Sequence, residues 1–168
     1  MKKAFLSLGT NIGDKKKNLA RATRYINVSI GHIIDLSGIY ESEPWGFEAD
    51  NNFLNMVIEV ISDLTPMEMM QKCLEIEAKL GRIRDNSEGY SSRIIDIDIL
   101  FFQDAIFSEP ALTIPHPHLH NRRFVLEPLS EIAPDYVHPI MGLTIAELLA
   151  NCTDTSRVTQ LGSMLYDF

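Results

Sequence analysis

Residues 93–100 read RIIDIDIL and run on into two phenylalanines. A stretch this apolar constrains the chain strongly, because it has to be a strand packed inside the protein. Side chains alternate along a strand, so Ile94, Asp96, Asp98 and Leu100 share one face. Arg93, Ile95, Ile97 and Ile99 share the other. The two carboxylates then point the same way, roughly 6–7 Å apart at Cα. At about 6 Å and an effective dielectric near 20 they repel by roughly 3 kcal/mol. Such a face needs a cation over it, or one of the carboxyls must hold its proton. Arg93 leaves a regular strand from the opposite face and is not the expected partner.

The segments around this strand set its context. KAFLSLG reads as a first strand ending at Gly9, and residues 14–27 follow as a helix with Leu19, Ala22 and Ile26 on one stripe. Residues 32–43 are extended. NNFLNMVIEVI (51–61) is another strand, with Phe53, Asn55, Val57 and Glu59 on one face and Leu54, Met56, Ile58 and Val60 on the other. In the next helix Thr65 caps, Pro66 takes the first position, Glu68 closes a capping box and Gly81 ends the run. Residues 121–131 and 144–151 read as short helices. The order β-α-β-β-α-β with C-terminal additions predicts an α+β, ferredoxin-like sandwich over residues 1–168, taken as a single domain. Its sheet is expected to be antiparallel with helices on one face. Any chemistry then falls to the other face or the loops.

Composition narrows the function. The net charge of −8 argues against a broad nucleic-acid surface. Arg82, Arg84, Arg93, Arg122 and Arg123 nevertheless cluster in one part of the chain with His116, His118 and His120, which suits an anionic small ligand. No apolar run reaches the ~20 residues that cross a bilayer, and the apolar stretch after the N-terminal lysines is too short for a secretory leader. Cys73 and Cys152 have no metal or redox spacing. A cytoplasmic monomer with reduced thiols is expected.

The aspartate pair suits magnesium, which takes a few carboxylate oxygens and completes its shell with substrate phosphates. IPHPHLHNRR (114–123) offers two readings: a zinc site on three alternate histidines, opposed by Arg122 and Arg123, or a phosphate contact by one histidine. LGTNIGDKKK lacks the spacing of a phosphate loop and reads as a tight strand-to-helix turn.

Four segments taken together carry a resemblance: YESEPWGF, FLNMVIEV, GRIR…YSSRIIDIDIL and IPHPHLHNRRFVLEPL. They resemble the 6-hydroxymethyl-7,8-dihydropterin pyrophosphokinase family of folate synthesis, in order and over most of the chain. The resemblance implies a ferredoxin-like core, ATP as co-substrate, two Mg2+ ions, and diphosphate transfer to the pterin hydroxymethyl group with release of AMP. It implies that Asp96 and Asp98 hold the metals. Asn55 would read the polar edge of the pterin, Phe53 and Phe124 would stack on its faces, and Ser42, Pro44 and Trp45 would complete that pocket. Arg82 and Arg93 would act in catalysis, and Glu77, Arg84, His116 and Arg122 would contact ATP. The chain departs from a common family form at Tyr90-Ser91-Ser92-Arg93, at Ala111 and at Pro117. A zinc hydrolase on the histidines and a non-catalytic ligand-sensing module are the two alternatives.

Overall fold

The computed structural model describes residues 1–83 and 92–163. In chain order its elements are β1 (Lys2–Thr10), α1 (Lys15–Ser29), β2 (His32–Leu36), β3 (Ile39–Ser42), β4 (Phe53–Ser62), α2 (Pro66–Lys79) and β5 (Asp96–Phe102). A hairpin of β6 (Phe107–Glu109) and β7 (Leu112–Ile114) follows, then a 3₁₀ turn (Leu119–Asn121), α3 (Arg123–Ile132), α4 (Ile145–Ala150) and β8 (Val158–Gly162). The main sheet runs β5-β1-β4-β3-β8, with β2 also on β4, and its pairings are antiparallel.

Local chemistry accounts for the boundaries. The α1 cap is Asp14, whose carboxylate accepts from the Lys17 N–H at 3.1 Å. At α2 the Thr65–Glu68 capping box and Pro66 start the helix, and Gly81 follows its end at φ +100°, a backbone state that costs glycine least. The extended stretch 32–43 is two strands because Ser37 interrupts it. The Ser37 hydroxyl accepts the Val57 N–H at 2.9 Å, a bond the ladder would otherwise supply.

Alternation along the strands divides the core in two. Leu54, Met56, Ile58 and Val60 of β4 join Leu6, Leu8, Ile97 and Ile99 beneath α1 and α2. On the opposite face Phe5, Val57, Leu100 and Phe101 form a second core with Val125, Leu126 and Leu129 of α3 and Ile145 and Leu148 of α4. Phe5 and Phe101 meet edge to face, with ring centres 6.2 Å apart. The expectation of helices on one face alone is therefore corrected. Each fully buried Phe, Val or Leu contributes about 1.5–3 kcal/mol by leaving water, so the second apolar face also needs a cover. That cover stops short of the sheet's end, where Gly9, Asn55 and Asp96 lie.

Candidate active site

Strand register builds the site. Gly9 of β1 lies opposite Asn55 of β4 on one side and opposite Asp96 of β5 on the other. Neighbouring strands are about 4.8 Å apart, so Asn55 and Asp96 stand roughly 10 Å apart across a residue without a side chain. A Cβ at Gly9 would come within 3.4 Å of Asn55 Oδ1 and 3.8 Å of Phe53 Cδ1. Glycine therefore keeps the floor between them low. Above this row opens a cleft of about 410 Å³.

Asp96 and Asp98 lie at its β5 end. Arg82 and Arg93 both reach Asp96: Arg82 Nη1 bonds its Oδ1, and Arg93 Nη1 lies 2.8 Å from its Oδ2. This corrects the expectation that Arg93 points away. β5 begins only at Asp96, so the alternation that would send Arg93 to the far face does not extend back to it. The missing counter-charge over the aspartates is thus supplied here by two guanidiniums. Among the described residues Asp98 has no guanidinium at bonding distance; its Oδ2 lies 3.7 Å from His116 Nε2. Burial, and then the Asp96 charge, push the Asp98 carboxyl up to about 7, against the pull of Arg122 and Arg93. Its side chain keeps 39% exposure, so solvent in the cleft softens that effect.

His116 is the converse case. Burial, then Arg122 and His118, lower it to about 4, so it is neutral at pH 7. Its Nδ1 accepts the His118 backbone N–H at 3.2 Å, which leaves the proton on Nε2, the atom turned to Asp98.

At the other end of the row, Asn55 is 3% exposed. Its Nδ2 donates to Ser42 Oγ at 2.8 Å and to the Tyr40 carbonyl at 3.3 Å, so the amide is fixed with Oδ1 toward Gly9. Aromatic rings wall this end. Phe47 packs edge to face on Phe53 at 6.0 Å. The Arg122 guanidinium lies 4.7 Å from the Trp45 ring centre and 5.8 Å from that of Phe124.

Of the residues singled out in the sequence, Ser42, Trp45, Phe53, Asn55, Arg82, Arg93, Asp96, Asp98, His116, Arg122 and Phe124 line this one cleft. Pro44 does not line it. Glu77, expected on the nucleotide side, is 2% exposed and turned inward. Its Oε1 accepts the Ile97 N–H at 2.8 Å and pairs with Arg82 at 2.8 Å, so it braces β5 and Arg82 from behind. Arg84 and the stretch 84–91 lie outside the described residues. Arg123 is drawn away from the cleft by Glu127 and by the Asp154 and Cys152 carbonyls. His118, one of the three alternate histidines, also lines the cleft, as do Ser7, Gly9, Glu43, Phe47 and Val125, which were not singled out as site residues. Pairing Gly9 with Asn55 and Asp96 requires the strand register, and Phe47 was visible in the sequence only as part of the segment YESEPWGF.

The donor set suits a hard divalent cation, since two carboxylates share one strand face, and such a cation would take the place of the guanidiniums on Asp96. Among the described residues no group of three or more His, Cys, Asp or Glu is placed to hold a metal. A cation on Asp96 and Asp98 therefore needs further oxygens from a ligand, and the zinc reading of the histidines gains no support.

The antiparallel sheet of this α+β fold thus ends in a cleft lined by two aspartates and three arginines. Residues 5–134 match the family described as 7,8-dihydro-6-hydroxymethylpterin-pyrophosphokinase (HPPK). The chain is 42% identical over 151 residues to the 2-amino-4-hydroxy-6-hydroxymethyldihydropteridine pyrophosphokinase of Methylorubrum extorquens, covering 89% of this chain and 93% of that one. It is 38% identical over 147 residues to the Aquifex aeolicus protein of the same name, covering 88% and 90%. It also matches the folic acid synthesis protein fol1 of Schizosaccharomyces pombe at 37% identity, over 87% of this chain but 20% of that longer one. The solved Plasmodium falciparum HPPK-DHPS shares the fold, with a TM-score of 0.74 at 19% identity, over 89% of this chain and 44% of that one. The chain belongs to the HPPK family. It is an ATP-dependent pyrophosphokinase of folate biosynthesis, a transferase.

Proposed function

We propose that this cleft binds 6-hydroxymethyl-7,8-dihydropterin at its Asn55 end and ATP with two Mg2+ ions at its Asp96 end. The carrying observation is the row Asn55–Gly9–Asp96 across three adjacent strands. Its span of roughly 10 Å fits a flat heterocycle whose side arm crosses the glycine toward the carboxylates. Asn55 Oδ1 accepts from the ring N–H groups, while Ser42 and the Tyr40 carbonyl hold its amide still. Phe53 and Phe124 stack on the ring faces, beside Trp45.

The hydroxymethyl oxygen attacks the β-phosphorus, the bond from that phosphorus to the α-phosphate oxygen breaks, and AMP leaves opposite. The hydroxyl proton passes to solvent. Asp96 and Asp98 would hold the magnesium, whose chemistry when bound would be to neutralise charge at the phosphates. Arg82 and Arg93, which lie on Asp96 in the free protein, pair with phosphate oxygens as charge builds up. His116 offers an N–H rather than a charge to the nucleotide phosphates, and Arg122 offers a guanidinium. Such a transfer depends on positioning and charge stabilisation more than on covalent help. The enzyme is proposed to act as a monomer and as one domain over residues 1–168. No helix among the described residues is long and apolar enough to cross a membrane.

Mass analysis of the pterin product tests the reading. A pterin carrying two added phosphates, formed with Mg2+ and absent with a chelator, is expected. A pterin carrying one phosphate would refute it.

A further inference from the structure

Asn11 sits where β1 gives way to the turn before α1 and is 1% exposed. Its Oδ1 accepts the Arg93 backbone N–H at 2.7 Å, and its own N–H donates to the Arg93 carbonyl at 3.1 Å. Its Nδ2 donates to Ser92 Oγ at 3.0 Å and, at the limit of a bond, to the Asn51 carbonyl at 3.5 Å. One side chain thus joins the end of β1 to the segment that enters β5 and to the loop that enters β4. The main chain of Arg93 is gripped on both its donor and its acceptor.

The guanidinium that hangs from this grip joins the two halves of the cleft. It bonds Asp96 Oδ2 at 2.8 Å and lies 5.9 Å from the Phe53 ring centre. Arginine has a long, rotamer-rich stem, so placing its head at two partners at once requires a fixed root. Asparagine suits the task because it supplies an acceptor and a donor from one short, stiff group.

We propose that Asn11 is the positioning residue for Arg93: it fixes the root of that side chain so that the guanidinium works at Asp96 beside Phe53. This rests on the reading above, in which Arg93 meets the transferring phosphates. A purely structural Asn11, satisfying a buried turn, would affect melting temperature but not act through Arg93.

A double-mutant cycle separates the two. Parent, Asn11→Ala, Arg93→Ala and the double variant are assayed for kcat and pterin KM, with melting curves alongside. Asn11→Ala is expected to lower kcat roughly tenfold to a hundredfold, as small displacements of a positioned group do. The same substitution in the Arg93→Ala background is expected to change kcat less than threefold. An equal loss in both backgrounds, or parental kcat in Asn11→Ala, overturns the proposal. Asn11→Asp keeps the acceptor for the Arg93 N–H and is expected to retain kcat within about threefold. If Asn11→Ala does not fold, a tenfold loss in folded Asn11→Asp overturns the proposal instead. A parent enzyme that forms no pterin diphosphate would contradict the parent reading, which is a different outcome.

Discussion

Replacing Asp98 by Asn should stabilise the metal-free protein while abolishing its turnover. In the folded chain the Asp98 carboxyl is pushed up to about 7 by burial and by Asp96, whereas unfolded it titrates near 3.9. Between those values the folded state holds a proton that the unfolded state has lost. Stability then falls as pH rises from about 4 to about 7 and levels off above it. Taken whole, a shift of this size corresponds to about 4 kcal/mol. The side chain is 39% exposed, however, and Arg82 and Arg93 already neutralise Asp96. Screening on that scale reduces the expected effect to about 1–2 kcal/mol. For a chain of this length that raises Tm by roughly 3–6 °C. The assay is thermal unfolding of parent and Asp98→Asn in chelator, from pH 4.5 to 8.5. The two curves should lie close together at pH 4.5 and separate steadily until about pH 7.5, with the variant more stable. A variant that is less stable at pH 8, or a difference independent of pH, would refute the reasoning that Asp98 carries an unrelieved charge.

Phe124→Ala should raise the pterin dissociation constant several-fold, with Mg-ATP affinity nearly unchanged, as titration calorimetry would show. Phe124 is only half-buried and packs on the margin of the second core, so its melting temperature should fall by much less than for a core phenylalanine, whose removal costs about 3–5 kcal/mol. Unchanged pterin affinity with a large loss of stability would place the ring in the core. Glu77→Ala should cost about 3 kcal/mol or more in denaturant melts, because it strands the Ile97 N–H and removes a buried partner of Arg82. Glu77→Gln, which keeps an acceptor, should cost less; equal losses would mean that the bonds to Glu77 are not what matters.

Much of this architecture was legible because several signals agreed at each place. Thr65, Pro66, Glu68 and Gly81 mark both ends of α2, and the alternation of β4 separates the two cores without error. The parts that were not legible depend on long-range pairing. β8 is mostly exposed and has no apolar alternation; it is a strand because β3 offers it an edge. The three-residue strands β6 and β7 are too short to carry a period. The face covered by α3 and α4 cannot be deduced from element order, since their apolar stripes would suit either side of the sheet. At the site, Asp96 and Asp98 were evident because carboxylates in an isoleucine run conflict with burial. Arg93 was misplaced because the alternation was carried past the true start of β5. Glu77 was assigned to the nucleotide side by the resemblance alone, and tertiary packing, which the sequence does not display, turns it to the Ile97 N–H. Asn11 gave no signal, since its partners lie 40 and about 80 residues further along the chain.

The central claim is that this cleft directs attack to the β-phosphorus of ATP, and the identity of the spent nucleotide tests it most directly. The purified protein is incubated with 6-hydroxymethyl-7,8-dihydropterin, ATP and Mg2+, and the nucleotides are separated and quantified against pterin consumed. AMP should accumulate one for one with pterin loss, in the parent and not in Asp96→Asn. ADP in that ratio would mean transfer of a single phosphoryl group and would contradict the account.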